Sequence, residues 1–139
     1  MLGDGGIHES SLSWNNMPRR QPRIGMTCSR APMFNSANWY SPNGRSVEYA
    51  WKEDEGRGEL DRVVGWVREH DGEFDGLLKG MLCPAQADTC TEGLLRRSRE
   101  WADDLDVPMT IHTSQSAYEV DNMVARTGKT PVAWMEDIG

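Results

Sequence analysis

From about residue 57 onward the chain alternates between amphipathic helical patterns and short apolar runs, and this alternation restricts the fold more than any other feature. The first helix is predicted from Arg57 to about residue 70, because four apolar residues recur at the spacing of one helix face: Leu60, Val63, Val64 and Val67. A strand is predicted within residues 74–82, best placed at 77–82, with Pro84 ending it. Residues 108–112 give the next strand.

Two capping boxes and a proline place the other helices. Thr89 with Glu92 predicts a helix with Thr89 as its N-cap, and this helix runs to about Leu105. The residues predicted to face the core are Leu94, Leu95, Ser98, Trp101, Ala102 and Leu105. Ser116 with Glu119 predicts another helix that ends at Gly128, with these residues inward: Ala117, Val120 and Val124. Pro131 then opens a short helix.

The order of these elements indicates α/β structure with parallel strands. An additional short strand is predicted at residues 23–28, followed by a long loop at about 29–56 that contains many turn-forming residues and several aromatic ones. We interpret this loop as packed beside a binding site. Within it, residues 35–44 either cover a pocket or form a rigid turn, and Trp39 and Trp51 either pack internally or line a pocket rim. The acidic run at residues 53–55 is expected to be solvated.

Composition excludes several classes of function. The net charge of −7 and the sequence pI of about 4.9 disfavour nucleic acid as a partner, since an acidic surface repels phosphates. No apolar run reaches the roughly 18–20 residues needed to span a bilayer, so no membrane association is expected. The start lacks the pattern of a signal peptide, and three cysteines in no paired motif favour reduced thiols in the cytoplasm. Residues 1–22 show no regular pattern, and we expect them to be poorly ordered.

His112 is the best candidate for chemistry, because catalytic side chains and metal ligands project from the carboxyl ends of strands in parallel β/α proteins. The alternative is a histidine bonded to backbone at the end of the strand. His8 is expected to be an ordinary polar residue, and His70 to complement a helix C-terminus. Gln86 and Asp88 follow the preceding strand, where they either touch a substrate or lie beside the next helix start.

The segment from residue 107 to 115, Val-Pro-Met-Thr-Ile-His-Thr-Ser-Gln, is followed by Glu119-Val120, by Thr-Gly-Lys-Thr-Pro-Val at 127–132 and by Asp-Ile-Gly at 137–139. With Leu94-Leu95 and Ala102, these residues resemble the metal-dependent amidohydrolase superfamily, in its chlorohydrolase and deaminase branch. The resemblance covers about 80 residues at the C-terminal end well and the first 57 weakly. It implies part of a (β/α)8 TIM-type barrel, about strand 3 to helix 5, with the long loop inserted.

In that family the position of His112 is a ligand of a divalent metal, zinc or iron, and Gln115 stands where the deaminase branch has a proton-transferring glutamate. Gln115 is neutral and cannot act as a general acid or base, so its remaining role would be to orient substrate or water. The other ligands implied by the resemblance would precede Met1 or follow Gly139.

We therefore expect residues 1–139 to be a single fragment of an amidohydrolase-like barrel domain. In the intact protein it would belong to a hydrolase that acts on C–N (non-peptide) or C–Cl bonds of a small molecule. The chain alone is expected to be inactive, to bind metal weakly and to self-associate through open sheet edges. The alternatives are a non-catalytic α/β scaffold, or a small-ligand-binding domain in which residues 35–51 form a lid.

Overall fold

The structure is a computed structural model and describes residues 27–139. Within this range the strands are β1 (Cys28–Arg30), β2 (Met33–Phe34), β3 (Ala37–Tyr40), β4 (Glu48–Trp51), β5 (Leu78–Gly80) and β6 (Cys83–Pro84). The helices are α1 (Glu53–His70), α2 (Glu92–Leu105), α3 (Ala117–Thr127) and α4 (Pro131–Ile138). The expected disorder of residues 1–22, and most of the strand expected at 23–28, lie outside the described residues.

Three chain segments run parallel, side by side, in the order of the sequence. β1 pairs with β5 and β2 with β6, both in parallel. Single parallel bridges, Leu82 with Met109 and Gln86 with His112, add the third segment on the other side. Helices lie in both connections, as expected for parallel β/α units. The sequence prediction of a mixed α/β fold with parallel strands is confirmed.

The third segment is held by isolated bridges rather than by a full strand, and Pro84 supplies the reason. The amide of Leu82 donates to Pro108 O at 3.0 Å, on the side of the third segment. In a strand the residue two positions on faces the same side. Pro84 lies there and has no N–H to donate. The strand predicted at 77–82 is therefore divided into β5 and β6, and Pro84, which was predicted to end it, is the last residue of β6.

The predicted long loop at 29–56 is wrong, because these residues contain most of β1, all of β2, β3 and β4, and the start of α1. β3 and β4 form an antiparallel hairpin in which Trp39 lies opposite Tyr49. The turn is fixed by Asn43, whose Oδ1 accepts hydrogen bonds from the amides of Arg45 and Ser46 at 2.8 and 2.9 Å. Gly44 beside it has φ +71°, a conformation that glycine adopts without strain.

α1 starts at Glu53, four residues before the predicted start. Its first turn carries Glu53, Asp54 and Glu55, which interact favourably with the positive end of the helix dipole. The expectation of a fully solvated acidic run is wrong for Glu53, which is partly buried and accepts a hydrogen bond from Arg57 Nε at 3.2 Å. The predicted apolar face is confirmed, since all four of its residues are buried.

α2 starts at Glu92 with Thr91 as its cap, so the prediction of Thr89 is wrong by two residues. Thr91 Oγ1 accepts a hydrogen bond from the Leu94 amide at 3.1 Å. The carbonyl of Thr89 accepts from the amides of Ser36 and Ala37, and these bonds hold it in the preceding turn. The predicted inward face is correct, with Trp101 and Leu105 only partly buried.

α3 has the predicted cap and end but not the predicted inward face. Ser116 Oγ accepts from the Glu119 amide at 3.1 Å, and Gly128 ends the helix with φ +74°. Ala117 and Val124 are exposed, however, and the buried residues are Glu119 and Met123. The buried face combines the apolar Met123 with Glu119, whose carboxylate accepts hydrogen bonds from backbone amides. α4 begins at Pro131, as predicted.

The core lies between α1, α2 and the parallel segments. Its buried centre includes Phe34, Leu60, Val63, Leu82 and Leu94. Two glycines allow α1 to pack closely against its neighbours. A Cβ at Gly80 would lie 2.8 Å from Val67 Cγ1, and one at Gly56 would lie 2.6 Å from Asn35 O. None of the helices among residues 27–139 is long and apolar enough to cross a membrane.

Candidate functional site

His112 lies at the carboxyl end of the third parallel segment, beside the end of β6. Its amide donates to Ala85 O at 3.2 Å, and its Nδ1 lies 3.0 Å from the same oxygen. A carbonyl oxygen only accepts, so in this contact Nδ1 carries the proton. In the neutral ring Nε2 then holds the lone pair, and the side chain is exposed. The ring of His112 is thus hydrogen-bonded to the backbone, as one alternative predicts, and its Nε2 has the lone pair that the other alternative, a metal ligand, requires.

The loop after His112 is shaped by the carboxylate of Glu119. Glu119 is 2% exposed, and its two oxygens accept from the amides of Ser114 and Gln115, each at 2.8 Å. Ser114 has φ +55°, which few residues other than glycine adopt. Gln115 is exposed, three residues after His112. Sequence reasoning used Glu119 in a capping box and in the family resemblance but gave it no role at the site, yet it fixes the backbone of the predicted site residue Gln115.

A second cluster lies on the loop after β6. Asp88 is 4% exposed, and its Oδ2 accepts a hydrogen bond from Tyr49 Oη at 2.6 Å. Arg126 of α3 donates from Nη1 to Asp88 O at 3.0 Å, and its Cζ lies 5.0 Å from the ring centre of Trp51. Burial and the neighbouring Asp88 raise the pKa of Tyr49, so the phenol remains a donor. Asp88 therefore joins the hairpin to α3.

This cluster is close to His112 through the backbone. Gln86 forms the bridge with His112, and the Ala87 amide donates to His112 O at 3.2 Å. Asp88 follows directly. The structure thus brings together His112 and the 86–88 loop, as the strand-end argument predicts. Asp88 does not simply lie beside the start of α2, since its side chain contacts the hairpin instead.

His70 lies away from this site. His70 lies at the end of α1, where Nδ1 is 3.1 Å from Glu73 Oε1 and the ring centre is 5.0 Å from that of Trp66. This agrees with a role at the helix end. His8 lies outside the described residues.

Across residues 27–139, no three His, Cys, Asp or Glu side chains lie together where they could hold a metal ion. His112 offers one nitrogen donor, whereas a catalytic zinc site usually has three protein ligands. The described residues therefore do not by themselves fit a complete metal centre.

Several curated proteins match this chain in sequence. The 5'-deoxyadenosine deaminase of Methanosarcina acetivorans is 34% identical over 89 residues, which are 64% of this chain and 21% of that protein. The 5-methylthioadenosine/S-adenosylhomocysteine deaminase of Moorella thermoacetica is 36% identical over 80 residues, 58% of this chain and 19% of that protein. The chain thus spans about a fifth of the length of these relatives. No protein-family model matches it.

The fold is similar to that of a solved structure. An adenosine deaminase from Xanthomonas campestris, determined with bound zinc, aligns with a TM-score of 0.55 and 23% sequence identity. The alignment covers 78% of this chain and 22% of that one. Over part of its length this chain therefore matches deaminases of the amidohydrolase superfamily. The resemblance predicted from the sequence is confirmed, and both named relatives in sequence are deaminases.

Proposed function

We propose that residues 1–139 form part of a metal-dependent hydrolase barrel that acts on a C–N bond, or in the chlorohydrolase manner on a C–Cl bond, of a small molecule. The observation that carries the proposal is His112. It lies at a strand end, its Nδ1 is engaged by Ala85 O, and its Nε2 is free. In metal-binding histidines the N–H of the other ring nitrogen commonly donates a hydrogen bond to a backbone carbonyl, which sets the tautomer.

In this proposal His112 supplies one ligand to a zinc or iron ion in the intact protein, and a metal there would supply Lewis-acid chemistry. Gln115 orients substrate or water by hydrogen bonds, since its amide cannot take up a proton. The names of the relatives support adenine nucleosides as the first substrates to test. The described residues provide too few ligands for a complete site, so the 139-residue chain is expected to bind zinc weakly and to lack hydrolytic activity.

The described edges of the parallel segments and the charge of the chain indicate which partners to expect. Residues 28–34 and 109–112 are the two outer segments of the parallel set among the described residues, and exposed edges favour pairing with another strand. We therefore propose self-association, to be checked by sedimentation. The acidic charge supports the absence of nucleic-acid binding, and the three free cysteines support a cytoplasmic location.

The test is a zinc titration of the chain, followed through the ring nitrogen signals of its histidines by NMR. We expect the free protein to show His112 protonated at Nδ1, and zinc to shift Nε2 of His112 with weak affinity. His112→Ala removes the response, whereas His70→Ala serves as the matched control and leaves it. A response at His70 alone would contradict a ligand role for His112. A tight stoichiometric site in the isolated chain would contradict the incomplete-site proposal.

A second candidate is a non-catalytic α/β scaffold or a small-ligand-binding domain, and Gln115 favours it because it replaces a titratable glutamate. Flanking DNA distinguishes the two. An upstream reading frame with His-x-His and a downstream one with a strand-end histidine and a later aspartate support the hydrolase. Stop codons without such sequences support the scaffold.

A further inference from the structure

Among the described residues, the ring of His112 has one hydrogen-bond partner, the backbone oxygen of Ala85. Ala85 O accepts from the His112 amide at 3.2 Å and lies 3.0 Å from Nδ1 of the ring. The side chain is otherwise exposed, so this contact decides which ring nitrogen carries the proton. A displacement of Ala85 O by about 0.6 Å would take it beyond hydrogen-bond distance of Nδ1.

The direction of the Ala85 carbonyl depends on the chain that follows it. The Ala85 amide is fixed by β2, because it donates to Phe34 O at 2.8 Å. The carbonyl, however, belongs to the next planar peptide unit, which Ala85 shares with Gln86. Rotation about ψ of Ala85 turns that unit and leaves the bond to Phe34 O in place. The position of residues 86–88 therefore determines where Ala85 O points.

The end of this loop is held by the hairpin and by α3. Tyr49 Oη donates to Asp88 Oδ2 at 2.6 Å, and Arg126 Nη1 donates to Asp88 O at 3.0 Å. Asp88 is 4% exposed, so water competes little for these bonds. Trp51 stacks on Tyr49 with ring centres 6.1 Å apart, and its own ring centre lies 5.0 Å from Arg126 Cζ. We call Tyr49, Asp88 and Arg126 the clamp.

The base of the hairpin is tied to the same loop. The carbonyl of Thr89, the residue after Asp88, accepts from the amides of Ser36 and Ala37 at 2.9 and 3.0 Å. The hairpin is therefore bonded to the loop after β6 at two adjacent residues, once through backbone and once through a side chain. Such contacts favour a rigid brace over a lid formed by residues 35–51.

We propose that the clamp positions the imidazole of His112. It holds residues 86–88 so that Ala85 O faces Nδ1, which keeps the proton on Nδ1 and the lone pair on Nε2. The three clamp residues are thus positioning residues, and the β3–β4 hairpin acts as their brace. The proposal rests on the proposed function for the ligand role of Nε2, but the tautomer of the ring is measured without metal.

The test is the tautomer of His112 in the full chain, followed through its ring nitrogen signals by NMR at about pH 8.5, where an ordinary histidine is neutral. Tyr49→Phe removes the hydroxyl that reaches Asp88 and retains the aromatic ring. We expect the ratio of the Nδ1–H to the Nε2–H tautomer to fall about fivefold, as for the loss of one neutral hydrogen bond. Arg126→Ala should cause a similar fall, and Arg126→Lys, which retains a donor, should restore most of the ratio.

Tyr40→Phe is the matched control, because it removes a hydroxyl of the same hairpin that bonds to Glu48 and not to the clamp. Val63→Ala controls for stability alone, since it opens a cavity at a fully buried core residue. Both should leave the tautomer ratio unchanged. An unchanged ratio in Tyr49→Phe and Arg126→Ala, or an equal fall in either control, would overturn the proposal.

This proposal and the ligand role of His112 fail in different ways. If zinc does not shift Nε2 but Tyr49→Phe changes the tautomer, the ligand role is wrong and the positioning role stands. If zinc shifts Nε2 but the clamp variants leave the tautomer unchanged, the positioning role is wrong.

Discussion

Glu119 provides the strongest single test of how the loop after His112 is held. Glu119 is 2% exposed, and each carboxylate oxygen accepts one hydrogen bond of 2.8 Å, from the backbone amides of Ser114 and Gln115 respectively. Replacement by alanine would remove both acceptors at once. It would leave two amides without partners in a loop that already contains one residue at positive φ, Ser114.

The magnitude follows from these two bonds. A hydrogen bond to a charged group contributes roughly 1.5–3 kcal/mol, and an amide left unpaired when buried costs a similar amount. Because the loop is partly open to water, the lower value applies to each bond, and Glu119→Ala should lower the free energy of unfolding by about 3 kcal/mol. Glu119→Gln retains one neutral acceptor but places an NH2 donor against the other amide, so it should lose most of that stabilisation.

Urea unfolding followed by circular dichroism gives the free energy, and native-state amide exchange reports the loop directly. The amides of Ser114 and Gln115 should exchange faster in Glu119→Ala, ahead of global unfolding. Glu136→Ala, an exposed glutamate in α4, is the matched control and should change stability by less than about 0.5 kcal/mol. Equal unfolding midpoints for the two variants, with unchanged exchange at Ser114 and Gln115, would refute the reasoning.

Three further predictions concern glycine, cysteine and tyrosine residues elsewhere in the chain. Gly56→Ala should destabilise the chain because its Cβ would lie 2.6 Å from a backbone oxygen, whereas Gly65→Ala, with open space around it, should stabilise α1 by about 0.5–1 kcal/mol; urea unfolding distinguishes them. Cys28 is exposed and burial raises the pKa of Cys90 to about 11, so a thiol reagent near neutral pH should label Cys28 rapidly and Cys90 only on unfolding. The raised pKa of Tyr49 means that its stabilisation is complete below about pH 10, the unfolded value, and is lost as the pH rises through the folded one. Unfolding measured at about pH 9 and about pH 11 should therefore show a smaller decrease in Tyr49→Phe than in the unmodified chain.

Local patterns predicted the helices well but did not predict the β3–β4 hairpin. The period of Leu60 to Val67 specified the buried face of α1, and Ser116 and Gly128 marked the ends of α3. The hairpin signal was present in the Asn43-Gly44 pair, which is typical of tight turns between strands. It was missed because each flanking strand has only four residues, too few to show a clear alternation.

The site was predictable only where it depends on the ends of strands. The position of His112 follows from the order of elements, and its pairing with the 85–87 backbone agrees with that argument. The cluster of Tyr49, Asp88 and Arg126 joins residues 39 and 38 positions apart in sequence. No periodicity links them, since each lies on a different element. A single sequence contains no local signal for such a contact.

The buried face of α3 is rotated from the predicted one, and this rotation shows which interactions orient the helix. Apolar periodicity favoured burial of Val120 and Val124, but full burial of a valine is worth only about 1.5 kcal/mol. The observed orientation instead gives Glu119 two backbone amides and Arg126 the carbonyl of Asp88, three charge-assisted bonds of roughly 1.5–3 kcal/mol each. These three bonds, together with the complete burial of Met123, outweigh the burial of Val120 and Val124. The segments that α3 contacts, the loop after His112 and the loop after β6, therefore determine how it packs, and the helix in turn holds both loops beside the candidate site.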